Sequence, residues 1–176
     1  MGSVETPAER YAAAKKRSSH PLTNDFIAQF DFGFDEFQIV ACHAVEDGRG
    51  VLVAAPTGAG KTVVGEFAAF SSLARGKKCF YTTPIKALSN QKYHEFVARF
   101  GEDRVGLLTG DTNINSEADV LVMTTEVLRN MLYANSTTLK NLGSVVMDEV
   151  HYLADKSRGA VWEEVLIHLM ESVQVI

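Results

Sequence analysis

Val51-Leu52-Val53-Ala54-Ala55-Pro56-Thr57-Gly58-Ala59-Gly60-Lys61-Thr62 is the stretch whose reading decides the fold. An apolar run of strand length passes into a turn with Gly at 58 and 60, and a segment of helical period opens at Lys61. Strand, glycine-rich turn and helix in that order make a phosphate-binding loop, with Ala55 standing where the first Gly usually stands. Consecutive backbone N–H groups in such a turn form an anion nest, and the helix behind adds the positive end of its dipole. Pro56, Thr57, Gly58, Ala59 and Gly60 are therefore the expected nucleotide cradle. Gly58 and Gly60 permit positive φ and close backbone approach. Lys61 brings a point charge to the β and γ phosphates of ATP, and the Thr62 hydroxyl is the expected Mg²⁺ ligand. The competing reading, a strand-to-helix turn with a chance Lys-Thr, leaves the agreement between motif and surroundings unexplained.

Outward from this loop, short apolar runs alternate with longer segments of helical period. Strands are predicted at residues 51–55, 79–82, 105–108, 120–123, 145–147 and 173–176. The helix of Val127, Leu128, Met131 and Leu132 and that of Val161, Trp162, Val165, Leu166, Leu169 and Met170 carry stripes suited to covering one sheet face, with Trp162 in the core. The expected fold is α/β: three layers, with a mostly parallel central sheet and helices on both faces. A second chemical signal follows the fifth run, Val145-Val146-Met147-Asp148-Glu149-Val150-His151. Two carboxylates directly after a buried strand face the crevice where α/β folds hold ligands. Asp148 is expected to hold Mg²⁺ and Glu149 to orient and deprotonate an attacking water. The alternative is that the pair merely caps the next helix electrostatically.

The 176 residues are 46% hydrophobic and 22% charged, which excludes disordered and collagen-like classes and suits one compact domain. No apolar run reaches the roughly 18 residues of a membrane span, so no membrane partner is expected. Cys42 and Cys79 stand in no metal-ligand spacing and fit a reducing cytoplasm. A net charge of -5 argues against binding nucleic acid through a diffuse basic surface. Residues 1–24 carry four basic and two acidic residues and the remainder 13 and 20, so a boundary is expected near Asp25. A helix over 8–17, then the breaker Ser18-Ser19-His20-Pro21, reads as an N-terminal extension whose Lys15-Lys16-Arg17 is a solvated face.

Asp148-Glu149-Val150-His151 resembles the DEVH variant of the DExH box in superfamily 2 helicases. Residues 81–93, YTTPIKALSNQKY, resemble motif Ia of the superkiller-type RNA helicases, and Gly106-Leu107-Leu108-Thr109-Gly110-Asp111 resembles motif Ib. Residues 123–129, MTTEVLR, resemble the next nucleic-acid motif, and 158–164, RGAVWEE, the segment after DEVH. The resemblance covers residues 30–176 and is nearest to bacterial HelY-type members. It implies a RecA-like domain, Mg-ATP as substrate, single-stranded RNA (DNA possible) as partner, and a monomer. It further implies that residues 25–176 form the first of two RecA-like domains. The S-A-T motif, the second domain and its arginine finger would lie outside this sequence, and His151 would couple nucleotide state to that second domain.

By the same resemblance Phe32 and Gln38 form an adenine-recognition element, an aromatic face for stacking and an amide for the base edge, with Phe34 as core. Phe32 as ordinary core is the alternative. Pro84, Ile85, Lys86, Thr109, Gly110, Thr124 and Thr125 each follow a strand and are expected to meet phosphate and sugar rather than bases. Simple N-capping by Thr124 is the competing reading. An ABC-type ATPase would carry L-S-G-G-Q where Ser136-Thr137-Thr138-Leu139-Lys140-Asn141-Leu142 stands, and a small-molecule kinase would carry lids after Thr83 and Met123. A DNA translocase and a nucleotide-binding module without turnover remain the rivals.

Overall fold

The computed structural model describes residues 6–155 and 159–176. Its helices are α1 (Pro7–Ser19), α2 (Pro21–Ile27), α3 (Glu36–Glu46), α4 (Thr62–Ala74), α5 (Lys86–Phe100), α6 (Thr125–Tyr133) and α7 (Gly159–His168). The strands are β1 (Lys78–Thr83), β2 (Val105–Leu108), β3 (Asn113–Ile114), β4 (Val120–Thr124), β5 (Leu142–Met147) and β6 (Gln174–Val175). They form one sheet in the order β3-β2-β4-β1-β5-β6, parallel throughout except for the β2–β3 pair. Helices on both faces complete the expected three-layer α/β fold.

The side-chain period of two explains how a continuous apolar run fills two cores. Cys79, Tyr81, Val120, Val122 and Val146 face the layer built around Phe26, Val64, Phe67 and Phe96. Phe80, Leu121, Met123, Val145 and Met147 face Leu128, Trp162 and Val165. Trp162 is 2% exposed, as its periodicity predicts. The stripe of α7 is narrower than expected: Leu166 and Met170 are about half exposed, and Leu169 and Met170 lie beyond the last helical residue, His168.

The predicted strand at 51–55 is a correction, because this segment forms no ladder. One backbone bond, Val51 N–H to the Val175 carbonyl at 3.0 Å, ties it to β6, and Leu52 is 78% exposed. A strand needs a neighbour of matching length, and β6 is two residues long. The exposed β3 was not predicted, and neither was α2, whose Pro21 stands at the first helical position. The charge boundary near Asp25 falls inside α2, whose Thr23 and Phe26 are buried. Residues 1–5, Arg158 of the quoted 158–164 segment and the side chains of Lys16 and Arg17 lie outside the described residues.

Candidate nucleotide and nucleic-acid site

The loop at 56–60 leaves the sheet edge and enters α4. Gly58 and Gly60 have φ of 84° and 78°, values that L side chains resist. Ala59 N–H bonds the Pro56 carbonyl at 3.2 Å. Among the described residues no carbonyl accepts from the N–H groups of Gly60, Lys61 or Thr62. Those donors sit at the positive end of the 13-residue α4, an arrangement suited to phosphate oxygens. The Lys61 ammonium is folded back, donating to the carbonyls of Ala55 at 2.6 Å and Pro56 at 2.9 Å.

Gln38 holds the loop from behind. Its Nε2 donates to the Gly60 carbonyl at 3.0 Å and its Oε1 accepts from Asp35 N–H at 2.8 Å, so the amide joins the start of α3 to the loop. Gln38 is itself buried, 5% exposed, with both amide atoms engaged in these bonds. Phe32 is 56% exposed, packing edge-on against Phe30 and beside Phe34, so its outer face is open. Phe34 packs against the core, as expected.

Asp148 continues the β1–β5 ladder, its N–H donating to the Thr82 carbonyl at 3.0 Å. Its Oδ1 accepts from Glu149 N–H at 2.8 Å and its Oδ2 from the Tyr81 hydroxyl at 2.7 Å. Glu149 has left-handed backbone with φ of 60°, a conformation otherwise found only at three Asn among the non-glycine residues described. Such strain in a Glu recurs at functional sites. The capping alternative finds no α-helix here: a 3₁₀ turn, Val150–Ala154, follows, and the Glu149 side chain does not cap it. Glu149 Oε2 lies 3.2 Å from His151 Nδ1, and the His151 side chain is 71% exposed.

The Thr62 hydroxyl and the Asp148 carboxylate are hard oxygen donors of the kind Mg²⁺ takes together with water and substrate phosphates. The residues present therefore fit that ion. Cys42 and Cys79 offer no competing chemistry, since both are buried free thiols that desolvation pushes up to about 12.

The expected nucleic-acid segments gather along one edge because β1, β2 and β4 run parallel and each segment lies at or just past a strand's C-terminal end, Thr124 being the last residue of β4. Lys86 and Gly110 are exposed, Ile85 and Thr109 half-buried, and Pro84, Thr124 and Thr125 buried. Thr124 occupies the N-cap position of α6 but its hydroxyl makes no capping bond. Thr125 Oγ1 donates to the Thr83 carbonyl at 3.2 Å, and Thr83 Oγ1 pairs with Ser89 Oγ at 2.7 Å, knitting two of the segments together. Lys86 Nζ donates to Asp111 Oδ2 at 2.5 Å, and Thr109 Oγ1 to Asp111 Oδ1 at 3.0 Å.

Sequence reasoning missed two residues here, Tyr81 and Gly65. A Cβ on Gly65, one turn into α4, would lie 2.7 Å from Tyr81 Cε2, so the glycine lets α4 sit against the ring whose hydroxyl meets Asp148. A glycine inside an apolar helical run was the available signal, because it costs about 1 kcal/mol against Ala and so points to a close approach.

A family model described as DEAD/DEAH box helicase matches residues 35–176. The chain is 63% identical over 151 residues to the "Probable helicase HelY" of Mycobacterium tuberculosis, covering 86% of this chain and 17% of that protein. It is 51% identical over 159 residues to the "DExH-box ATP-dependent RNA helicase DExH15 chloroplastic" of Arabidopsis thaliana, covering 87% and 14% respectively. The chain thus spans about a sixth of the length of these curated relatives. Among solved structures, Mycobacterium smegmatis helicase Lhr bound to ssDNA and AMP-PNP is similar with a TM-score of 0.70 at 30% identity, over 88% of this chain and 24% of that one.

Proposed function

This chain belongs to the DEAD/DEAH box helicase family, and we propose that it is the first RecA-like domain, residues 25–176 behind an extension at 1–24, of an ATP-driven RNA helicase. The observation that carries the reading is convergence. The donors at the start of α4, the Asp148-Glu149 pair and the segments at the ends of β1, β2 and β4 all lie at strand ends, loops and helix starts rather than in the middle of the sheet. Lys61 leaves the Ala55 and Pro56 carbonyls to meet the β and γ phosphates. Glu149 accepts the proton of the attacking water, and Asp148 with Thr62 holds Mg²⁺, which when bound supplies charge neutralisation to the phosphate oxygens. Phe32 and Gln38 take the adenine. Pro84 to Lys86, Thr109-Gly110 and Thr124-Thr125 take the sugar-phosphate backbone of a single strand. His151, exposed beside Glu149, relays nucleotide state to a second RecA-like domain of the same protein.

RNA is favoured by the likeness to the Arabidopsis DExH-box RNA helicase. DNA is the second reading, favoured by the ssDNA held by the Lhr structure. The deciding measurement is ATP turnover of the longer protein titrated with single-stranded RNA and then DNA. Preferential stimulation by RNA is expected, and equal stimulation removes the RNA assignment. These 176 residues alone should bind nucleotide and turn it over ~10³-fold or more slowly than the longer protein, the scale of a missing arginine finger. Full RNA-stimulated turnover by this chain would show that the catalytic cation lies within it.

A further inference from the structure

We infer that Tyr81 is a positioning residue that sets the orientation of the Asp148 carboxylate toward the metal. The inference rests on the reading of Asp148 given above and goes beyond it, because nothing in a local motif connects residue 81 to residue 148. The backbone of Asp148 is already fixed by its bond to Thr82, so rotation of the carboxylate about its own side-chain bonds is what remains to be set. Two donors set it. Glu149 N–H holds Oδ1 and the Tyr81 hydroxyl holds Oδ2, leaving each oxygen with lone-pair capacity for a cation.

The phenol is itself immobile. Tyr81 is 1% exposed on β1, its register partner on β5 being Val146. The ring lies against Gly65 of α4, where no side chain intervenes, and meets the edge of Phe96 of α5 at a centroid distance of 5.0 Å. The Lys92 ammonium, paired with Glu95, lies 5.7 Å from the ring centroid. A tyrosine hydroxyl is a proton donor at neutral pH, and this one is aimed at Asp148 Oδ2 from a ring that packing holds in place. The position of α4 is thereby transmitted through one ring to the carboxylate. Hydrogen-bond partners of a ligating group orient it, and their loss typically costs about 10- to 100-fold in metal affinity.

The bland alternative is that a buried tyrosine hydroxyl simply needs an acceptor. Tyr81→Phe separates the two, since it keeps the ring and removes only the hydroxyl. Binding of a non-hydrolysable ATP analogue to the whole chain is measured by calorimetry in EDTA and across a Mg²⁺ series. We expect the metal-free affinity to stay within about 2-fold while the Mg²⁺ concentration for half-maximal tightening rises by about 10-fold or more. In an Asp148→Asn background, Tyr81→Phe should add nothing. An unchanged Mg²⁺ midpoint, an equal loss with and without metal, or an undiminished effect in the Asp148→Asn background overturns the inference. A parent protein whose nucleotide binding ignores Mg²⁺ would overturn the assignment of Asp148 itself, and this inference with it.

Discussion

The two sides of the nucleotide site are built by opposite means. Asp148 stands at the end of β5, a strand whose last four residues are all buried, and its carboxylate is held by two hydrogen bonds before any ligand arrives. The phosphate loop leaves residues 51–55, which share one backbone bond with β6, and its lysine is satisfied by the loop's own carbonyls. One side is preorganised by the core. The other is held in a self-satisfied form that a ligand must rearrange. Local stability follows buried contacts and laddered hydrogen bonds, so the loop side should open at lower free energy than the carboxylate side.

The largest effect expected on either side belongs to Glu149. Glu149→Gln should leave Mg-ATP binding intact and reduce turnover of the proposed helicase by roughly 10² to 10⁴-fold, because an amide cannot take the water's proton. Turnover at the parent rate would move the base elsewhere. Lys61→Ala comes next: nucleotide affinity should fall by roughly 100-fold as charge-assisted hydrogen bonds to the phosphates are lost. The same substitution sharpens the contrast between the two sides. It removes both Lys61 bonds to the loop, so amide exchange at 55–60 should quicken while that of 144–148 stays as it was. Equal acceleration in both regions would mean that the site opens as one unit.

How much of this could be read from the sequence follows the same division. Residues 105–108 and 120–123 read as strands because a strand buried on both faces is a continuous apolar run, and both lie inside the sheet. Residues 51–55 present the same local pattern yet form no ladder, since apolar character is local and a pairing partner is not. α2 was invisible for a related reason: seven residues are too few for a period, and what secures it is Phe26 wedged among Phe30, Phe67 and Phe70. At the site, the loop residues and the carboxylate pair were legible because their chemistry is bound to contiguous spacing. The Tyr81–Asp148 and Gln38–Gly60 bonds join residues far apart in the chain, and no periodicity carries that information.

Gln38 tests whether the loop is held from outside at all. Gln38→Ala removes the anchor on the Gly60 carbonyl and the bond to Asp35 N–H at the start of α3. Loss of that second bond should lower stability by about 1 kcal/mol, the usual scale of a helix-start hydrogen bond. Nucleotide affinity should weaken by roughly 3- to 10-fold, less than for Lys61→Ala, because an anchor shapes the nest without supplying charge. Thermal unfolding and calorimetry on the same sample separate the two effects. Reduced stability with parental affinity would mean that Gly58 and Gly60 alone shape the loop.

The smallest effect lies at the nucleic-acid edge, where the contrast is repeated within a few residues. Thr125 is buried and bonded to the Thr83 carbonyl, whereas Lys86 reaches across solvent to Asp111. Asp111 also accepts from Thr109, so one carboxylate occupies two of the residues proposed to meet the strand. Its hydrogen bonds from Lys86 and then Thr109 hold it below the usual carboxylate range, so it stays charged at neutral pH and competes with phosphate. Asp111→Asn should therefore tighten single-strand binding by roughly 2- to 5-fold at low salt, a modest gain because exposed ion pairs are weak. The gain should fade as salt rises, since screening over about 10 Å at 0.1 M weakens the competition and the strand contact alike. Fluorescence anisotropy with a labelled oligonucleotide across a salt series reads both features. Weaker binding by Asp111→Asn would show instead that the carboxylate aims the Lys86 ammonium at the strand, and would place this edge with Asp148 among the parts made ready before the ligand arrives.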